Sequence, residues 1–105
     1  VRRVTLAGGF AKISKLAAGH LDLHSQESSV DVPFLAGLIE DQAVAWRVAE
    51  AKTAAQALDM AGDYPLAAKV AGRALEMAQE VVSNPEIGLD VLVVDRQGKV
   101  IGHAL

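Results

Sequence analysis

The hydrophobic period changes twice along this chain, and that constrains its fold more than any other feature. From Arg3 to Ala7, Val4 and Leu6 alternate with Arg3 and Thr5, the two-residue period of a half-buried strand. After Gly8-Gly9, apolar residues recur at steps of three and four as far as Val81, the period of an amphipathic helix face. From Leu89 the chain turns rich in Val and Leu. Asp95-Arg96-Gln97-Gly98 is a turn signal, and Val100 to His103 resumes β character. This predicts a hairpin with Gly98 supplying a positive φ. Strand-like ends around a helical middle imply an α+β fold: a small three-stranded sheet, made of the N-terminal strand plus the C-terminal hairpin, covered by about four helices. At 105 residues the chain is long enough for one core and too short for two, so residues 1–105 are read as a single domain.

The helical stretch divides at its punctuation. Phe10, Ile13, Leu16 and Ala17 form the apolar face of a first helix, with Lys12 and Lys15 off it and Gly19 as a stop. GHLDLHS reads as a loop. Ser28, Ser29 and Asp31 are candidate caps, and Pro33 suits the first turn of a short helix over Pro33–Glu40. Asp41 is placed to cap a longer helix from Gln42 to Met60, ending at Gly62, with the stripe Val44, Val48, Ala51, Ala55 and Leu58. Asp63 and Pro65 open the last helix, which runs to Val82 with the stripe Leu66, Val70, Ala74, Met77 and Val81. Lys69, Arg73, Glu76 and Glu80 form its solvated, mixed-sign face, and Asn84-Pro85 ends it. Trp46 falls opposite the Val44 stripe, to pack near Phe34 or to meet a neighbouring domain or subunit. Alanine, at 19 residues, implies close helix packing with little bulky filler.

Composition excludes several functions. A net charge of −3 argues against nucleic-acid binding as a whole-domain property. No apolar run has the length of a membrane span. With no cysteine there are no disulfides, thiolate metal sites or thiol nucleophiles, which suits a cytoplasmic protein. A start at Val1 without Met suggests a fragment of something longer.

Chemistry concentrates between Leu6 and Asp31. Gly8 and Gly9 end a strand and permit close backbone approach, or simply form a tight turn. The helix after them presents unpaired N–H groups and a positive dipole end, an anion site in form. Lys12 and Lys15 add charge there, or belong to a solvated face. His20 and His24 bring imidazoles, the side-chain type suited to proton transfer near neutral pH; together with Asp22 and Ser25 they form a reactive cluster, a metal site built on His20, Asp22 and His24, or a hydrogen-bonded structural knot. The segment matches neither a P-loop nor the GxGxxG dinucleotide fingerprint. His103 is read as a strand residue.

The string GGFAKISKLAAGHLDLHS resembles the C-terminal region of the CbiD family, the cobalt-precorrin-5B (C1)-methyltransferases, which carry Gly-x-x-Lys-x-x-Lys-Leu-Ala-Ala-Gly-His followed by a short stretch ending in His-Ser. Gly9, Lys12, Lys15, Leu16, Ala17, Ala18, Gly19, His20, His24 and Ser25 match that pattern, and LDVLVVDRQGKVIGHA at the end is similar too. Leu23 departs from it, because many relatives carry Thr before the second His. The resemblance covers most of this chain but only about the last third of a family member, and so implies a missing N-terminal domain. It implies transfer of a methyl group from S-adenosyl-L-methionine to C1 of a cobalt-corrinoid in cobalamin biosynthesis; no metal ligand is assigned. On that reading His20 and His24 are the catalytic candidates, while Gly8, Gly9, Lys12, Lys15 and Ser25 bind substrate or cofactor. The competing reading is a non-catalytic module for oligomerisation or corrinoid docking.

Overall fold

A computed structural model describes residues 2–19 and 31–105. Its elements are β1 (Arg2–Gly9), α1 (Phe10–Ala17), α2 (Val32–Gly37), α3 (Gln42–Ala49), α4 (Ala54–Ala61), α5 (Leu66–Val82), β2 (Ile87–Val94) and β3 (Val100–Ala104). The sheet order is β1-β2-β3, with β1 parallel to β2 and β3 antiparallel to it. This is the α+β architecture expected, with five helices among the described residues against about four expected. A parallel neighbour cannot be reached through a tight turn, and here all five helices lie in the crossover from β1 to β2. The hairpin forms locally. Asp95 Oδ1 accepts the N–H groups of Gln97 and Lys99, each at 2.9 Å, and Gly98 takes φ 83°.

β2 is the central strand and alternates cleanly. Leu89, Val91 and Val93 are buried on one face, against α5 and α1. There they meet Leu66, Val70 and Ala74 of α5 and Phe10 and Ile13 of α1 in one core. The small residues of α5 let it lie close to the sheet. At Gly102 a Cβ would stand 2.6 Å from the carbonyl carbon of Ala67 and 2.8 Å from its oxygen. Backbone touches backbone at that crossing, which only glycine allows. The opposite face of the sheet carries no helix among the described residues.

Three expectations need correction. The helix from Gln42 to Met60 is two helices. After α3 the N–H groups of Glu50 and Ala51 bond to the carbonyls of Arg47 and Val48 in a tight turn. Thr53 then caps α4 by accepting the Gln56 N–H at 3.1 Å, while Gln56 Oε1 accepts the Lys52 N–H at 2.8 Å. This is a close variant of a capping box, and Thr-x-x-Gln was legible as one. The break rotates the buried face, so Ala54, Ala57 and Ala61 are buried, Leu58 is half-buried and Ala55 is exposed. On α5 the inward face is a double column of Leu66, Ala67, Val70, Ala71, Ala74, Leu75 and Ala78; Met77 is half-buried and Val81 is 59% exposed. The short helix stops at Gly37 rather than Glu40. Its start and that of α3 follow expectation: Asp31 accepts the Phe34 N–H at 3.0 Å and Asp41 accepts those of Ala43 and Val44.

Candidate functional site

The β1–α1 junction is built by the change of period at the two glycines. β1 ends at Gly9, which is extended (φ −69°, ψ 162°) and serves as the N-cap of α1. Having no side chain, Gly9 cannot accept a first-turn N–H, so those donors face outward at the positive end of the helix. The two glycines do different work. A Cβ at Gly8 would meet Ile13 Cδ1 at 3.3 Å and Lys12 Cδ at 3.6 Å, so Gly8 accommodates packing. Around Gly9 a Cβ would meet nothing within 4 Å, and this is where backbone lies open. Gly9 pairs with Val94 of β2, so the junction sits at the carboxyl ends of two parallel strands, where open α/β sheets commonly bind ligands.

The side chains sort by position. Lys12 lies in the first turn and is exposed, its stem running over Gly8. Lys15 is half-buried in the last turn, about 4.5 Å further along the axis at 1.5 Å per residue. The structure therefore gathers Gly8, Gly9 and Lys12 and sets Lys15 one turn beyond. Ser14, between them, is buried and donates to the Phe10 carbonyl at 2.6 Å. That bond locks α1 internally and keeps the hydroxyl away from any ligand. Gly19 ends the helix at φ 92°, with Met77 Cε 3.5 Å from its Cβ position. His20, Asp22, His24 and Ser25 lie outside the described residues. Among the described residues no group of three or more His, Cys, Asp or Glu side chains could hold a metal ion.

Two features went unread in the sequence. A groove of about 640 Å³ opens between α2 and α5, floored by Phe34 and Leu38 and edged by Lys69, Arg73 and Glu76. Its cations are already paired, Lys69 with Glu40 at 3.6 Å and Arg73 with Glu76 at 2.7 Å. The second is Asp90, on the bare face of the sheet. Arg3 lies over Gly88 there and bonds one Asp90 oxygen at 3.3 Å, while the other, Oδ1, is buried and takes no hydrogen bond. A carboxylate between Leu89 and Val91 was a visible signal; its surroundings were not. Trp46 is 68% exposed, outside the core in which Phe34 takes part. No described helix is long and apolar enough to cross a membrane.

Among the described residues, a small mixed sheet layered on one side by helices, with a glycine-led helix start at the ends of its parallel strands, defines an α+β domain. The family model described as CbiD, C-terminal domain, matches residues 22–104, and the chain belongs to that family. Over 99% of its length the chain is 51% identical to a cobalt-precorrin-5B C(1)-methyltransferase of Paramagnetospirillum magneticum, 44% to one of Pseudomonas putida and 41% to one of Burkholderia lata. In each case it spans 30% of the relative's length. No solved structure matches.

Proposed function

We propose that this chain is the C-terminal domain of a cobalt-precorrin-5B C(1)-methyltransferase, acting in the cytoplasm, and that it takes part in binding the reactants. The observation that carries this is the likeness along the whole chain to proteins bearing that name, 51% identical in the first case. When bound, S-adenosyl-L-methionine would supply the methyl group from its sulfonium, leaving a neutral thioether. Transfer of this kind is in-line displacement, so holding both partners in register supplies most of the rate.

The chain's own contribution lies at the β1–α1 junction. Both reactants carry carboxylates. The uncapped first turn after Gly9 and the exposed ammonium of Lys12 fit a carboxylate by charge and by donor direction. Lys15, one turn on, extends that positive edge. His20 and His24 follow directly in the sequence; as imidazoles they hold or accept a proton as the macrocycle gains its substituent, and Ser25 adds a hydroxyl donor. The methyl-transfer assay on the full-length enzyme tests these roles. Lys12→Met raises KM a few-fold, in keeping with the modest worth of an exposed charge at a helix start, while His20→Ala or His24→Ala lowers kcat. Unchanged KM removes Lys12 from the site, and normal turnover in both histidine variants leaves them structural.

The apolar floor of the α2–α5 groove, with Lys69 and Arg73 on its mixed-charge rim, favours a second reading, in which the domain docks the corrinoid while catalysis resides elsewhere. Titrating S-adenosylhomocysteine and a corrinoid polycarboxylate separately into the full-length protein and its Lys69→Met/Arg73→Met variant separates the two. Loss of corrinoid binding alone supports docking in the groove.

A further inference from the structure

The bare face of the sheet combines three observations. First, its residues run in rows across the strands: Thr5 beside Asp90, Ala7 beside Leu92 beside His103, and Gly9 beside Val94 beside Val100. Ala7, Leu92, Val94 and Val100 make the half nearest the strands' carboxyl ends apolar, and Val100 is 47% exposed. Parallel strand pairs are ordinarily covered on both faces, and among the described residues helices cover only one of them. Second, the opposite half holds Asp90, whose side chain is only 13% exposed and whose Oδ1 is buried without a hydrogen bond. A buried carboxylate oxygen left unpaired is costly. Arg3 does not relieve this, since it reaches the other oxygen from a side chain that is 59% exposed. Third, the chain matches a C-terminal domain and accounts for 30% of its relatives' length. In those relatives most of the protein therefore precedes β1, the edge strand that borders this face.

We propose that the face formed by Thr5, Asp90, Leu92 and His103 is the docking surface for the preceding part of the same polypeptide, which covers Leu92 and Val94 and gives a hydrogen-bond donor to Asp90 Oδ1. The inference rests on family membership and the fold, not on the reaction, so its test needs neither methyl donor nor corrinoid.

The experiment is thiol labelling of the full-length protein, with any cysteines outside this region replaced; the region itself contains none. Single substitutions Thr5→Cys and His103→Cys report the face. Glu80→Cys, exposed on α5, reports an uncovered surface. The proposal expects both reporters to label at least about tenfold more slowly than Glu80→Cys, as groups shielded until a local opening do, and to do so at every protein concentration. Labelling at the rate of Glu80→Cys overturns it. Protection that disappears on dilution, in step with dissociation seen by sedimentation, also overturns it and gives the face to a second copy of the chain.

Discussion

Gly102 and Gly9 lie on strands of the same sheet, yet their surroundings are opposite. At Gly102 a Cβ would run into the Ala67 backbone at 2.6 Å; at Gly9 it would meet nothing within 4 Å. One glycine exists so that α5 can press onto β3. The other leaves the start of α1 uncapped and its donors reachable. The contrast extends to the two faces of the sheet. The helix side buries Val91 and Val93 completely, while the other leaves a carboxylate half-served and Val100 in the open. Among the described residues, tight packing is concentrated on the helix side of the sheet.

The sharpest way to break that contrast is Gly102→Ala. Because the obstructing atoms are backbone, α5 has to move away from β3, and overpacking of this kind costs about 1–3 kcal/mol or more. Thermal unfolding is expected to fall by about ten degrees, at roughly 4–8 °C per kcal/mol for a domain of this size. A change of a degree or two would mean that the contact relaxes freely. A smaller loss is expected from Thr53→Ala, which removes the cap of α4 and costs about 1 kcal/mol. Denaturant titration should show a lower midpoint with an unchanged slope. The smallest effect on stability belongs to Gly9→Ala, within about 0.5 kcal/mol, as for other substitutions away from packed features, because the φ and ψ of Gly9 are open to any residue. The same substitution is expected to raise KM in the full-length enzyme by narrowing the approach to the first turn of α1. A Gly9→Ala protein with altered stability and unaltered KM would reverse the assignment of the two glycines.

The elements that local chemistry specifies were legible. Asp31 and Asp41 cap as their positions indicate, Gly98 takes the positive φ expected of it, Gly19 stops α1 as expected, and β1, α1, α5 and the hairpin begin and end close to where the periods change. The break between α3 and α4 was legible in principle, through Thr53 and Gln56, but an apolar stripe that continued across it concealed the cap. The inward face of α5 was misjudged at Met77 and Val81. A single stripe assumes one neighbour, whereas this helix is wedged between α1 and the sheet and buries two columns. At the candidate site, Gly8, Gly9 and Lys12 come together as their spacing implies. That Gly8 serves packing and Gly9 stays open was not readable, since it depends on where the Ile13 side chain lies.

Periodicity, caps and turn residues act over a few positions, so strands, helix starts and the hairpin turn were written into the chain directly. The pairing of β1 with β2 joins Arg2 to Ile87, and the groove joins Phe34 to Arg73. Such contacts close only when the intervening helices have packed, because burial against a distant partner carries no local periodic signature. Which face of the sheet is covered, and which carboxylate is left waiting for a donor, were settled by that packing alone.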